Sequence, residues 1–301
     1  MIKRAKLNMG DKTFNTINYV GFLIFTILCI FPFYYLFINT ISNNDLSNRG
    51  LITFIPRGIH FSNYIQVLKL KGLPTAALVS LSRTVAGTVL TVGASAFLGF
   101  IFTKNEMWGR KFCYRFLVIT MYFNAGILPW FITMMNLKLT NNFLAYVLPS
   151  IVSPFNIILV KTFVEAIPPA LQESAELDGA GYLTVFARII FPLSMPILAT
   201  ITVFSAVGQW NSFIDTLFLM TDTKLYTLQF VLYRYLNEAT SLASLIKSSA
   251  GGAINVNLAN EQTATSVRMT VSMIVVAPIL IVYPYFQRFF VKGIMIGAVK
   301  G

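Results

Sequence analysis

The chain has 301 residues, of which 56% are hydrophobic and 11% are charged, and its 23 Lys and Arg against 11 Asp and Glu give a formal charge of +12. Soluble domains carry roughly 25% charged residues, so this composition excludes an ordinary water-soluble fold and disfavours a disordered chain. The basic residues are scattered between apolar blocks, which suits segments beside anionic lipid and argues against a nucleic-acid partner. The composition therefore predicts an all-α polytopic membrane protein in a lipid bilayer.

Six apolar blocks have about the twenty residues that a helix needs to cross a bilayer core of about 30 Å. They are residues 17–38, 79–102, 116–135, 143–163, 195–220 and 269–290. An even number of spans places both termini on one side, and the short connection 103–115 on that side carries four basic residues. Because short basic loops face the cytoplasm, both termini are predicted to be cytoplasmic. The expected division is a segment 1–16, a six-span domain 17–290 and a tail 291–301.

The second span carries a stripe of small residues, which lets helix backbones approach closely in lipid. The stripe consists of Gly87, Thr91, Ser95 and Gly99. Packing within one chain is the favoured interpretation, and a dimer seam is the alternative.

Two ionisable residues, Arg83 in the second span and Asp215 in the fifth, lie inside predicted helices. For both, a structural role near interfacial water is favoured over a functional one.

Several chemistries have no motif in this sequence. It contains no G-x-x-x-x-G-K-[ST] loop to cradle phosphate, no metal-ligand spacing and no G-x-S-x-G nucleophile motif. No acidic residue lies near the centre of a predicted span, as an ion-coupled carrier would need. We therefore expect a non-catalytic chain that needs another polypeptide to drive uphill transport.

An acidic segment, residues 165–192, connects the fourth and fifth predicted spans. Pro168 and Pro169 can begin a helix in its first turn, and Gly179 can end that helix in a left-handed cap. A second helix is predicted from about Tyr182 to Ile190, ahead of Pro192. The segment therefore predicts a helix–glycine–helix elbow, whereas an ordinary solvated loop would not need this alternation.

The elbow resembles the EAA signature of permease subunits of binding-protein-dependent ABC importers. That pattern is E-A-A, three residues, G, nine residues, I, one residue, L-P. Here Glu173-Ser174-Ala175, Gly179, Ile189 and Phe191-Pro192 stand at those positions, with Ser174 and Phe191 as departures. Further stretches are similar to the maltose-permease-like, carbohydrate-uptake branch, nearest its oligosaccharide and polysaccharide subgroup. They are residues 55–64, 126–129, 137–142 and 291–301.

The resemblance implies a six-helix bundle of the type I ABC importer permease kind in a bacterial plasma membrane. It implies a second, different permease, two ATPase subunits and an extracytoplasmic solute-binding protein as partners. ATP and Mg²⁺ would be bound by the ATPase subunits, and this chain would hold no cofactor. The elbow would be the coupling helix, braced by Phe186 and Arg188. The residues expected to couple to the ATPases are Glu173, Ala175, Asp178, Gly179, Ala180, Phe186, Arg188, Pro192, Lys300 and Gly301.

A sugar path needs amide groups and aromatic faces, which hydrogen-bond and stack on hydroxyl-rich ligands. The candidates are Tyr122, Asn124, Trp130, Gln209, Trp210 and Asn211. The aromatic ones could instead anchor helices at the membrane interface. The small-residue loop at 248–255 is expected to contact the binding protein, and the alternative is that it is only a solvated tether.

Two alternative functions are import of another polar solute, such as a peptide or glycerol phosphate, and transport by a stand-alone secondary carrier or channel.

Overall fold

The structure, a computed structural model, describes residues 9–69, 72–237 and 263–298, and all regular elements within these ranges are helical. This confirms the all-α prediction. The α-helices are α1 (Met9–Thr40), α2 (Asn44–Asn48), α3 (Ser62–Leu68), α4 (Leu73–Ile101), α5 (Arg110–Tyr122), α6 (Ile127–Asn136), α7 (Leu144–Val147), α8 (Pro154–Glu165), α9 (Ala170–Leu177), α10 (Tyr182–Val185), α11 (Phe191–Leu193), α12 (Met195–Asn211), α13 (Ile214–Leu219), α14 (228–237) and α15 (Ala264–Ala298). Single-turn 3₁₀ segments occur at Leu148–Ser150 and Thr223–Leu225, and a π-helical turn covers Phe186–Ile190.

Within the described ranges, three helices are long and apolar enough to cross a membrane: Lys12–Thr40, Leu73–Ile101 and Thr265–Pro284. Two further candidates are bent pairs. Leu144–Ser150 and Pro154–Glu165 meet at 45°, and Tyr182–Leu193 and Met195–Asn211 meet at 78°. Length and composition therefore give three to five spans, and the predicted count of six is not confirmed.

The predicted third span, 116–135, is interrupted. α5 ends at Tyr122, and α6 begins only after Gly126, whose φ of +88° lies in the region that favours glycine. The side chain of Asn124 accepts a hydrogen bond of 2.9 Å from the Gly126 backbone N–H and closes the turn. Pro129 then stands in the first turn of α6, where its missing N–H costs nothing. The backbone therefore breaks between the two halves of this block.

The chain divides into two compact units, Met1–Lys69 with Tyr235–Ile274 and Leu70–Arg234 with Val275–Gly301. In the first unit, the fully buried Asn63 donates to the Thr40 backbone oxygen at 2.9 Å and bonds the amide of Asn44. The hydroxyl of Tyr64 lies 2.8 Å from that of Thr40. These bonds hold α3 against the end of α1.

In the second unit, the small-residue stripe of α4 is covered by neighbouring helices of the same unit. A Cβ on Gly87 would lie 2.7 Å from Cδ of Gln209 on α12, and one on Gly99 would lie 2.8 Å from Cβ of Val160 on α8. Thr91 donates to the Ser150 backbone oxygen at 2.8 Å. The stripe therefore serves packing within the chain, which was the favoured interpretation.

Candidate functional site

The elbow is built around the C-terminus of α9. Gly179 has a φ of +83°, its N–H donates to the Glu176 oxygen at 3.0 Å, and the Ala180 N–H donates to the Ala175 oxygen at 2.9 Å. These two bonds are the Schellman motif, in which a left-handed residue satisfies the last carbonyl groups of a helix. The left-handed cap predicted for Gly179 is present.

The arms of the elbow also follow the sequence pattern. Pro169 stands at the N-cap of α9, and Glu173 in its first turn complements the positive end of the helix dipole. The second arm continues from Tyr182 through the π-helical turn to Leu193, and therefore includes Pro192. The chain then bends by 78° into α12.

The elbow stands on an apolar cluster shared with α4, α8 and α12. The cluster consists of Ala96, Phe100, Val160, Val164, Val185, Ile190, Leu198 and Ile201. Ala175 and Ala180 pack against it, whereas Glu173, Asp178 and Gly179 are exposed. The predicted contact residues thus divide into two alanines turned toward the cluster and a group on the outer surface.

One exposed residue of the elbow was not singled out from the sequence. Leu177, the last residue of α9, is 89% exposed between Glu176 and Asp178. An exposed leucine costs free energy in water, since about 25 cal/mol is lost for each Å² of apolar surface left uncovered. The sequence could have marked this leucine, because it lies two residues before Gly179 in an otherwise polar turn.

Aromatic contacts fix the second arm. The ring of Phe186 lies 5.5 Å from the rings of Phe97 and Phe100 on α4 and 5.9 Å from that of Phe191. Arg188 is exposed and forms no ion pair with the part of the chain that the structure describes. Phe186 therefore packs against α4, whereas the bracing role of Arg188 stays a prediction.

A salt bridge joins the elbow to the loop after α4. Lys104 Nζ lies 2.9 Å from Glu176 Oε1, and 5.3 and 5.2 Å from the ring centres of Phe100 and Tyr182. In the sequence, Lys104 was counted only among the basic residues of the connection 103–115. Lys300, Gly301 and the loop at 248–255 lie outside the described residues.

A cavity of about 560 Å³ opens in the second unit between α4, α7, α8, α12 and α13. Its polar and aromatic lining includes Arg83, Thr91, Trp130, Tyr146, Ser150, Ser153, Asn156, Ser205, Gln209, Ser212 and Asp215. A neighbouring cavity of about 380 Å³ shares Trp130, Ser212 and Asp215 and extends to Asn124 and Gly126. Cavities of 300–1,000 Å³ are typical of small-molecule sites.

Arg83 and Asp215, which were considered separately in the sequence, form a buried ion pair. Arg83 is 2% exposed, and its NH1 and NH2 lie 3.0 and 2.6 Å from the two carboxylate oxygens. Its guanidinium also lies 4.4 Å from the ring centre of Tyr146. Two charges of opposite sign inside predicted spans were the signal for this pair, because such charges are costly unless they are paired.

The candidates for a sugar path separate by position. Trp130 and Gln209 line the larger cavity, and Asn124 lines the smaller one. Trp210 lies elsewhere: its Nε1 donates to the Val275 oxygen at 3.0 Å, in a groove beside Pro278 and Tyr283. Tyr122 and Asn211 are exposed and line neither cavity.

Gln209 helps to hold the cavity wall together. Its Oε1 accepts from Arg83, and its Nε2 donates to Ser150 at 2.6 Å. Asn156 and Ser205, two lining residues missed in the sequence, carry polar groups next to this wall. Within the described residues, no three His, Cys, Asp or Glu side chains gather as a metal site. The cavity is equipped for hydrogen bonding and stacking.

Comparison with known proteins covers nearly the whole chain, although no protein-family model matches it. The polygalacturonan/rhamnogalacturonan transport system permease protein YtcP of Bacillus subtilis (strain 168) is 28% identical over 293 residues, 97% of this chain and 100% of that protein. Protein LplC of the same strain is 32% identical over 275 residues, 91% of this chain and 90% of that protein. The arabinooligosaccharides transport system permease protein AraQ of Halalkalibacterium halodurans is 26% identical over 287 residues, 94% of this chain and 95% of that protein.

A solved structure agrees with these relatives. A chain from the crystal structure of a bacterial ABC transporter involved in the import of the acidic polysaccharide alginate superposes with a TM-score of 0.82 at 27% identity. The match covers 95% of this chain and 100% of that chain. Fold and sequence thus coincide over nearly the full length of both proteins, and the elbow carries the signature spacing. The chain belongs to the family of carbohydrate permease subunits of ABC transporters.

Proposed function

We propose that this chain is one of two different permease subunits of an ATP-driven importer for oligosaccharide or polysaccharide chains. The support is that the relatives are named for polygalacturonan, rhamnogalacturonan and arabinooligosaccharides, and the structural neighbour for alginate. An extracytoplasmic binding protein delivers the sugar. Two ATPase subunits bind ATP and Mg²⁺ and supply the energy, because this sequence has no phosphate-binding loop of its own.

The proposed topology has six spans in a bacterial plasma membrane, with α5 and α6 as the two halves of a broken third span. A broken helix is tolerated in a bilayer where its backbone lines a cavity, and Gly126 and Ile127 line the smaller cavity. The segment 1–16, the elbow and the tail 291–301 face the cytoplasm. The support for this orientation is the basic connection 103–115.

The observation that carries the proposal is the construction of the elbow. Val185 and Ile190, at its base, are buried against α4, α8 and α12, while Leu177, Asp178 and Glu173 stand on its outer surface. A partner that grips the outer surface therefore pulls on the helices that line the cavity. ATP binding shifts the equilibrium between the two states of the permease. The size of the shift equals the difference in the affinity of the ATPases for those two states.

Site-directed crosslinking tests this coupling in the assembled complex. The native Cys29 and Cys113 are replaced by serine. Leu177→Cys is then combined with single cysteines on the surface of the co-expressed ATPase that faces the permease. We expect a crosslinked product that mass spectrometry identifies as this chain joined to the ATPase, with a yield that changes when ATP binds. The matched control is Thr223→Cys, which is exposed in the 3₁₀ turn Thr223–Leu225, outside the elbow. Failure to capture the ATPase, or ion-coupled uptake by this chain alone, would contradict the proposal.

A further inference from the structure

We infer that the 560 Å³ cavity is a subsite for an uncharged, hydroxyl-rich sugar unit, and that the Arg83–Asp215 pair makes it unsuitable for a sugar carboxylate. This inference rests on the proposed function and deepens it, because it assigns a charge preference to one stretch of the path. The charge preference can be tested directly, because one relative is named for polygalacturonan and the structural neighbour for the acidic polysaccharide alginate.

Every N–H donor of the Arg83 guanidinium already has an acceptor. A guanidinium has five N–H donors. Nε and NH2 donate to Gln209 Oε1 at 3.1 and 3.0 Å, NH1 donates to the Ser212 oxygen at 3.3 Å, and NH1 and NH2 each donate to Asp215. All five donors are engaged, so the cation that lines the cavity offers no free fork to a ligand carboxylate.

The charges that line the 560 Å³ cavity balance each other. Asp215 balances Arg83, and its Oδ1 also accepts from the Thr216 N–H at 2.9 Å. The cavity lining contains no further charged residue. A sugar carboxylate that entered would lose its water and approach the Asp215 carboxylate without a free cation in reach, which is unfavourable in a medium of low dielectric constant.

Neutral polar side chains in the cavity lining remain for a ligand. Asn156 is 5% exposed and lines the cavity, and its Nδ2 donates to Ser205 at 3.2 Å. No described residue donates a hydrogen bond to its Oδ1, so this acceptor can receive a sugar hydroxyl. Ser153 and Ser205 add hydroxyl groups that both donate and accept.

The two cavities also offer an aromatic face and space that suit sugar rings. The indole of Trp130 lines both cavities and supplies an apolar face on which the C–H face of a sugar ring can stack. The smaller cavity continues past Trp130 toward Asn124, which leaves room for a second unit of the same chain. Neutral hydroxyl, amide and aromatic groups therefore define the ligand chemistry of this space.

The test compares two probes that differ in charge: digalacturonate and its methyl ester. Ser153→Cys, in a complex with Cys29→Ser and Cys113→Ser, reports occupancy of the cavity through the rate of maleimide labelling in the purified importer. By mass action, the ester at about ten times its dissociation constant should slow labelling about tenfold, whereas ionised digalacturonate at the same concentration leaves the rate unchanged. Thr223→Cys, outside both cavities, should show no protection by either probe.

Two further substitutions are made in the reporter background. Asn156→Ala removes the free acceptor and should weaken protection by the ester about fivefold, the value of one hydrogen bond. Asp215→Asn frees the guanidinium, so digalacturonate, which gives no protection in the reporter background, should now slow labelling about tenfold, as a charge-assisted bond to a carboxylate would. The control is Asp222→Asn, which removes a carboxylate outside the cavity lining.

Each outcome decides the inference. Protection by the ester but not by the acid supports it, as does reversal in Asp215→Asn. Equal protection by both probes, preference for the acid, or no protection by either would overturn it. If Asp215→Asn does not assemble, Asn156→Ala still separates a binding cavity from an empty one. Capture of the ATPase through Leu177→Cys is measured independently, so failure of the subsite is distinguishable from failure of the coupling.

Discussion

Lys104 and Glu176 form a salt bridge of 2.9 Å that ties the loop after α4 to the elbow helix α9. The lysine side chain is 18% exposed and also lies over the rings of Phe100 and Tyr182. Because α4 carries Arg83 nearer its beginning and ends close to Lys104, this bridge connects the elbow to the helix that lines the cavity. The bridge therefore fixes the elbow helix α9 to the end of α4.

Lys104→Gln should reduce ATP-dependent uptake several-fold while the free energy of unfolding changes by less than about 1 kcal/mol, as expected for a partly exposed ion pair. The measurement is uptake in proteoliposomes together with thermal unfolding of the complex. Lys161→Gln is the matched control, because it removes the Lys161–Glu165 pair of 2.6 Å within α8. The reversed pair, Lys104→Glu with Glu176→Lys, should recover uptake, and a reversed pair no better than the single variants would show that the bridge has no role.

Gly179 provides a second prediction about the elbow. Space around it is open, so an added side chain meets no atom within 4 Å, but its φ of +83° costs any other residue about 1–2 kcal/mol. Gly179→Ala should weaken uptake moderately, and Gly179→Leu should abolish it while membrane insertion is unchanged. Gly181→Ala, in the same elbow but at a φ of −72°, is the control that should behave as the unmodified protein. Normal transport by Gly179→Leu would mean that this surface contacts no partner.

The small-residue stripe predicts where α4 tolerates a methyl group. A Cβ on Gly99 would lie 2.8 Å from Val160 Cβ and 3.1 Å from the Lys161 backbone nitrogen, so Gly99→Ala should destabilise the protein by about 1–3 kcal/mol. Gly93, on the same helix, has open space, and Gly93→Ala should be neutral or stabilising by up to about 1 kcal/mol. The measurement is the thermal unfolding of both variants. Equal stability of Gly99→Ala and Gly93→Ala would rule out close packing at Gly99.

The proposed topology predicts which cysteines an impermeant reagent reaches in intact cells. Thr184→Cys is exposed in the elbow and should remain unlabelled until the cells are permeabilised. Gly251→Cys, in the loop before the last predicted span, should be labelled directly. Both experiments use the chain without its two native cysteines. Labelling of both positions from the same side would contradict the six-span arrangement.

Local chemistry in the sequence was sufficient for the elbow and for the packing of α4. Gly179 and the prolines dictate a cap and helix starts that depend on a few neighbours, and the spacing of Gly87 and Gly99 already describes one face of a helix. The break at residues 123–126 was not foreseen, because hydropathy measures the apolar content of a block but not a left-handed φ at Gly126.

The cavity depends on residues that are distant in the chain. Arg83 and Asp215 are separated by 132 positions, and Asn156 meets Ser205 across 49. Composition shows that such groups exist but not which of them meet, so Trp210 was an equal candidate to Trp130 until the fold oriented the two indoles differently. Residues that line a site were thus predicted by type, and their selection required the tertiary structure.

The buried ion pair of Arg83 and Asp215 leads to a final prediction, which separates the contribution of charge pairing to stability from that of hydrogen bonding. Arg83→Met leaves the carboxylate of Asp215, which is only 13% exposed, without its partner and should destabilise the complex by about 3–5 kcal/mol. Adding Asp215→Leu removes the orphaned charge, so the double variant should recover most of that stability in thermal unfolding. Removing the exposed Arg49–Asp45 pair by Arg49→Met should change stability by less than about 1 kcal/mol. A double variant as unstable as Arg83→Met would mean that the hydrogen bonds of Arg83 to Gln209 and Ser212, rather than its charge pairing, hold α4 to α12.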